Sequence, residues 1–245
     1  MYQITDGLDD FYAFGGVGEL TCPVGWTPTW RKGDGTPGVL VRPEYNPAGT
    51  PQTRTGPAAA AIRSRFATID GALYRQVDCE PGDVVTASVW MLKTEDGAGH
   101  AMRVGIDRFG GTDHTAPGII WSEWYSQYAD DYAVNAWRER EATAVANGDD
   151  VTVFLQSRVD VATDSTNAHF DDVSVAIDEA EPEPPPVPDE DTVTVDVPVN
   201  LIARVTLRLA VPVAEVVGVE VLPPAQAQAT GVRGVVAWIR QRLGV

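Results

Sequence analysis

Cysteine is scarce in this sequence: its 245 residues include only Cys22 and Cys79. A disulfide-dense scaffold is therefore excluded. Cys22 precedes Pro23 in a loop and Cys79 closes a strand-like run; two reduced, packed thiols are the expectation, with pairing as the alternative. Basic residues are also few, 18 against 35 acidic ones, for a net charge of −17. Such a field repels phosphate backbones and anionic lipid, which argues against nucleic acid and membrane surfaces as partners. No apolar run approaches the roughly 20 residues that span a bilayer, so membrane insertion is not expected. The opening residues, Met1-Tyr2-Gln3-Ile4-Thr5-Asp6, carry neither the basic nor the apolar stretch of a signal peptide.

Catalytic parts are missing too. The sequence has no Gly-x-Ser-x-Gly elbow, Walker loop, His-Glu-x-x-His or Cys-x-x-Cys. Its three histidines, His100, His114 and His169, are well separated, and Gly15-Gly16-Val17-Gly18 leads into no helical pattern. Carboxylate pairs such as Glu44 with Glu123 have the chemistry for glycosidic acid–base work. Among 35 acidic residues, however, arbitrary pairs are plentiful. The expectation is a protein that is not an enzyme.

What the sequence does contain is alternation. Val151, Val153 and Leu155 alternate with Thr152, Phe154 and Gln156, and Val173, Val175 and Ile177 alternate with Ser174 and Ala176. Leu73–Cys79, Val84–Leu92 and Met102–Ile106 are further strand-like runs. Turn chemistry separates them at Gly33-Asp34-Gly35, Asn46-Pro47-Ala48-Gly49, Glu80-Pro81-Gly82-Asp83, Glu95-Asp96-Gly97, Gly110-Gly111 and Asn147-Gly148-Asp149. Period-two patterning with regular turns predicts an all-β, two-sheet antiparallel jelly-roll sandwich over residues 1–178. The nearest thing to helical patterning is Ala58–Phe66, where Ala59, Ile62, Arg63 and Phe66 fit a turn and a half.

Residues 179–190, Glu-Ala-Glu-Pro-Glu-Pro-Pro-Pro-Val-Pro-Asp-Glu, form an acidic Pro-rich linker that cannot bury apolar surface. Residues 191–245 are Val-rich: Val193, Val195, Val197 and Val199, then Val205, Leu207, Leu209 and Val211, alternate with other residues. A closing helix is expected over Thr230–Leu243, with Val232, Val235, Val236, Ile239 and Leu243 on one stripe and Trp238 on its flank. A β-rich segment this small is uncomfortable alone and is expected to need a partner surface. Val195, Val197, Leu207, Leu209, Val235, Trp238 and Ile239 are its candidate assembly residues.

The segment Gly105–Trp121 places Gly, Asp, Thr and Pro between two apolar ends, so it is expected to be an ordered loop joining two strands. It carries Asp107, Asp113 and His114 and delivers Trp121, Trp124, Tyr125 and Tyr128. Flat rings beside planar polar groups are what a sugar needs, because a ring covers the apolar face of a pyranose while polar groups take its hydroxyls. Trp124, Tyr125, Tyr128, Asp107, Asp113 and His114 are thus the candidate glycan-binding residues, with sandwich packing as the alternative. Trp26, Trp30 and Trp90 suit core or cap packing better.

Several stretches carry a family resemblance. They are Gly25-Trp26-Thr27-Pro28-Thr29-Trp30, Arg42-Pro43-Glu44-Tyr45, Leu73-Tyr74-Arg75-Gln76-Val77, Val104-Gly105-Ile106-Asp107, Gly110-Gly111-Thr112-Asp113, Trp121-Ser122, Val151-Thr152-Val153-Phe154-Leu155 and Phe170-Asp171-Asp172-Val173. In order and spacing, residues 4–177 resemble the jelly-roll carbohydrate-binding modules that accompany xylanases and recur in bacterial surface and phage proteins. The resemblance implies a two-sheet jelly roll without catalysis. It also implies a structural calcium between the first and closing strands, for which Asp9, Asp171 and Asp172 are the candidate ligands. Asp9 stands where the family has a Glu, which shortens the reach by one methylene.

Two functional readings result. One is a phage virion surface component (a decoration, capsid-associated or tail-fibre protein) docked through residues 191–245, as a homo-oligomer or part of a larger assembly. The other is a glycan-binding accessory module of a bacterial surface protein or glycanase. Both put the protein on a virion or outside a cell.

Overall fold

The alternating runs become long strands because each offers one apolar edge to the same interior. The computed structural model describes residues 2–94 and 99–180. Its strands are β1 (Tyr2–Asp6), β2 (Phe11–Ala13), β3 (Thr21–Pro23), β4 (Thr27–Trp30), β5 (Glu44–Ala48), β6 (Ala59–Ser64) and β7 (Ile69–Asp78). They continue with β8 (Val84–Lys93), β9 (His100–Asp107), β10 (Ile120–Trp121), β11 (Tyr125–Ser126), β12 (Arg138–Val145), β13 (Asp150–Val159) and β14 (Thr166–Asp178). One sheet has the order β12-β8-β14-β6-β5, with β1 also pairing with β14; the other has the order β10-β9-β13-β7-β4, with β11 also pairing with β9. All the pairings within these two sheets are antiparallel. The two-sheet antiparallel sandwich is therefore the observed architecture.

The inward residues are those the alternation selects. Val85, Ala87, Val89 and Met91 of β8 and Phe170, Val173, Val175 and Ile177 of β14 face Val104 and Ile106 of β9 and Val151, Val153 and Leu155 of β13 in one core. Each fully buried Val, Leu or Ile contributes on the order of 1.5–3 kcal/mol of apolar burial. β14 is long enough to serve two neighbours, pairing with β6 through Thr166–Phe170 and with β1 through Val173–Ile177. A register shift between Asp171 and Ser174, with Asp172 at φ 46, inserts one residue there. That insertion keeps Phe170 and Val173 on the same side, so both halves of the strand reach the core.

Some local expectations are corrected. Ala58–Phe66 is not helical: Ala59–Ser64 is β6, hydrogen-bonded between β5 and β14, with Ala59–Ile62 all buried. Its small side chains fit a closely covered strand as well as a helix, and tertiary pairing decides between them. Asn46-Pro47-Ala48 is strand rather than turn, because β5 is an edge strand, where a proline disturbs no ladder. Trp26 is buried at 1% exposure, in keeping with its expected core packing, its Nε1 donating to Asp6 Oδ2 at 3.0 Å, and Thr27–Trp30 is β4. Cys22 and Cys79 are both free thiols, and burial pushes the Cys22 thiol up to about 12. The Glu95-Asp96-Gly97 turn, residues 181–190 of the linker and the whole 191–245 segment with its seven candidate assembly residues lie outside the described residues.

Candidate functional site

The loop between β9 and β10 folds across the outer face of the β13 sheet, and its turn residues explain how. Asp107 Oδ1 accepts the Phe109 amide at 2.9 Å, and Gly110 at φ 69 turns the chain where Gln76 Nε2 donates to its carbonyl at 2.9 Å. Asp113 Oδ1 accepts both the amide (2.9 Å) and the hydroxyl (2.7 Å) of Thr115, which holds its carboxyl below the usual range. The chain then enters β10, with Ile120 opposite Ile106 and Trp121 opposite Gly105.

Beneath the loop lies a second small core, in which Ile119 meets Ala72 and Phe154, and Tyr74, Ala116 and Trp121 pack around them. The Trp121 ring sits 6.1 Å from the Phe154 ring and lies directly on Gly105. A Cβ at Gly105 would be 2.2 Å from Trp121 Cε3, so only glycine admits the indole. Polar side chains fill the rest of the layer. Arg103 Nε donates to Gln156 Oε1 at 2.7 Å, and Gln156 Nε2 donates to Asp70 Oδ1 at 2.6 Å. His114, 2% exposed, brings Nε2 to 3.3 Å from Asp70 Oδ1, an ion-pair distance rather than an aligned hydrogen bond. Burial alone would raise the Asp70 pKa; the His114 and Gln156 side chains beside it outweigh burial and lower it.

At the edge of this roof a cleft of about 190 Å³ opens between Trp124, Tyr128, Gly99, Ala101, Arg158 and Asp160. Tyr128 is 82% exposed, Trp124 is half-buried, and Arg158 Nε is held by Asp160 Oδ1 at 2.7 Å. One flank of the cleft is thus aromatic and the other carries a planar guanidinium and a carboxylate.

The structure therefore divides the six candidate glycan-binding residues. Trp124 and Tyr128 meet at the cleft. Tyr125 does not: it is 0% exposed in the main core, its hydroxyl donating to the Ala133 carbonyl at 2.8 Å, because β11 turns it inward. Asp107 and Asp113 each hold a turn of the loop through Oδ1, Asp113 at an exposed position, and His114 is buried beneath it. Arg103, Gln127, Arg158 and Asp160 escaped the sequence reading. For Arg103 a signal existed, since Met102, Val104 and Ile106 point inward and the alternation must turn Ala101, Arg103 and Gly105 outward.

The three candidate calcium ligands, Asp9, Asp171 and Asp172, all meet the 54–58 loop. Asp171, fully buried, accepts the Arg54 amide (2.7 Å) and Thr55 amide (3.2 Å) on Oδ2 and the Asp172 amide (2.8 Å) on Oδ1. Asp172 is bound by the Arg54 guanidinium and the Thr55 hydroxyl. Asp9 lies against Gly56 and accepts the Ala58 amide at 3.3 Å. Among the described residues no group of three or more His, Cys, Asp or Glu side chains has a geometry that could hold a metal. The three acids pin the 54–58 loop by hydrogen bonds. Glu44 and Glu123 also stay apart in topology, Glu44 in the edge strand β5 of one sheet and Glu123 beyond the edge strand β10 of the other.

No protein-family model and no curated protein matches the sequence. Among solved structures, the chain is similar to the K1 cleaved adhesin domain of Lys-gingipain from Porphyromonas gingivalis W83, with 15% identity, TM-score 0.47, and coverage of 74% of this chain and 100% of that one. It is also similar to the CBM22-1 xylan-binding domain of Paenibacillus barcinonensis Xyn10C, with 13% identity, TM-score 0.43, and coverage of 73% and 95%. A cyclase from Fischerella sp. TAU is similar at 14% identity and TM-score 0.43, over 65% of this chain and 87% of that one. Likenesses at TM-scores this low leave the ligand to be argued from this chain's own residues.

Proposed function

We propose that this chain is a non-catalytic glycan-binding protein whose contact surface is the cleft between Trp124 and Tyr128. The observation that carries the reading is the convergence of these two rings with Arg158 and Asp160 on one opening. An indole face covers the apolar side of a sugar ring, and the guanidinium and carboxylate take its hydroxyls. The opening is smaller than the roughly 300 Å³ at which ligand-sized pockets begin, so one site holds a single sugar residue weakly. Weak sites become useful by repetition, since display of several copies multiplies affinity through effective concentration.

Repetition is what the rest of the sequence supports. The acidic proline spacer and the Val-rich 191–245 segment suit display on a larger assembly, and a phage virion surface is the form we propose for it. Affinity electrophoresis of the full-length protein in gels cast with plant and bacterial polysaccharides tests the first part. Retardation that Trp124→Ala abolishes, with the melting temperature kept, supports it; no retardation by any polysaccharide contradicts it. Light scattering on the full-length protein tests the second part, and a monomer at all concentrations would remove the assembly reading.

A further inference from the structure

Arg103 is held in an unusual way for a surface cation. Its guanidinium carbon lies 3.9 Å from the ring centre of Trp121 and 3.9 Å from that of Trp124. Both flat faces of the fork are therefore covered by indole, and burial lowers its pKa to about 10, which leaves it a cation at neutral pH. Its hydrogen-bonding capacity is confined to its edge. Nε is engaged by Gln156 Oε1 at 2.7 Å, and Gln156 is itself fixed by Asp70. Among the described residues the two terminal NH2 groups donate to no protein acceptor, and they are not among the buried unpartnered atoms, so they are not fully closed off from solvent. Arg158 is a diagonal neighbour on the same face, opposite Ala101 where Arg103 is opposite Gln156.

We propose that the free edge of Arg103 is a carboxylate-recognition subsite, and that the glycan taken by the neighbouring cleft is acidic, with a uronic or other carboxylate-bearing sugar. This inference rests on the glycan-binding reading above. A guanidinium edge offers two parallel N–H groups that match the two oxygens of a carboxylate, and the match is charge-assisted. Clamping between two indoles removes the rotamer freedom that a flexible arginine would lose on binding. A neutral hydroxyl would use only one of these donors and none of the charge. The net charge of −17 repels a dense polyanion but admits a sparse carboxylate at a local cation.

The test uses the wild-type, full-length protein against oligosaccharides in matched pairs, each uronic-acid form beside its methyl-esterified or carboxyl-reduced partner. Tighter binding of the acidic member, by about tenfold or more, is expected. Equal binding of both members overturns the carboxylate subsite while leaving the glycan reading intact; binding of neither overturns both. Arg103→Lys keeps the charge and the stem but loses the fork. It is expected to erase most of the acid preference; an undiminished preference would overturn the assignment.

Discussion

The two outer faces of the sandwich are built from equally regular strands and are finished differently. Around β1, β8, β12 and β14 the outer face of one sheet is mainly polar, with Trp90 among it under the Arg54 guanidinium at 3.8 Å. Thr86 and Thr143 hydroxyls meet at 3.0 Å, and Gln3 Nε2 donates to Ser174 Oγ at 2.9 Å. These groups satisfy one another or water and need no cover. The outer face of the other sheet presents Ala72, Phe154 and Gly105, which cannot be left to solvent, and the β9–β10 loop roofs them with Ile119 and Trp121. At the rim of that roof, aromatic rings are fixed on one side and open on the other. A ring in that state is rigid and still available, which is what distinguishes a binding surface from a merely polar one.

Phe154→Ala, beneath the roof, should produce the largest break in this contrast, costing about 3–5 kcal/mol in urea unfolding. Ser88→Ala on the opposite face should stay within about 0.5 kcal/mol. Equal costs on the two faces would show that the roofed cluster is not a core.

Acid is the next lever, because each sheet hides a neutral histidine: His100 in β9, held to about 3 mainly by burial, and His169 in β14, held to about 4 mainly by burial. Both values lie below the unfolded value of about 6.5, so the unfolded chain binds more protons, and stability falls as pH drops from about 6.5 towards 4. The loss should approach about 3 kcal/mol per histidine by pH 4, read from urea midpoints across that range. Burial raises the Asp171 pKa and works in the opposite direction, softening the loss. His100→Gln and His169→Gln should each flatten part of the slope, and a slope unchanged in both would contradict the assignment.

Gly105→Ala is expected to cost about 1–3 kcal/mol, since the new Cβ must displace the Trp121 ring. Melting temperature measures that cost, and lost polysaccharide retardation would show that the rim depends on the roof. Trp124→Ala should change stability by no more than about 1 kcal/mol, although it should remove glycan retention altogether.

Much of this was legible in advance, and the misses share a cause. The runs at Val84–Leu92 and Val151–Ser157 declared themselves because a half-buried strand must alternate, and both are strands. β12 alternates too, with Ala142 and Ala144 buried between exposed neighbours, but four charged residues at its start masked the pattern. Tyr125 and Tyr128 are three residues apart and chemically equivalent, yet one is core and the other is rim. Their separation depends on the two-residue strand β11, which is a tertiary pairing that local sequence does not encode. Asp107, Asp113 and His114 drew notice as polar residues in a Gly-rich loop. Polar residues of that kind serve turns as readily as ligands, and here they serve the turns and the layer under the roof.

The contrast between the faces can be tested most directly by nuclear magnetic resonance, titrating the isotope-labelled protein with whichever oligosaccharide retards it in gels. The account predicts shift changes at the Trp124 indole N–H, Tyr128, Gly99 and Arg158, with Trp90, Thr86 and Thr143 on the other sheet unmoved. Shifts confined to the Trp90 face, with the Trp124–Tyr128 rim silent, would contradict it.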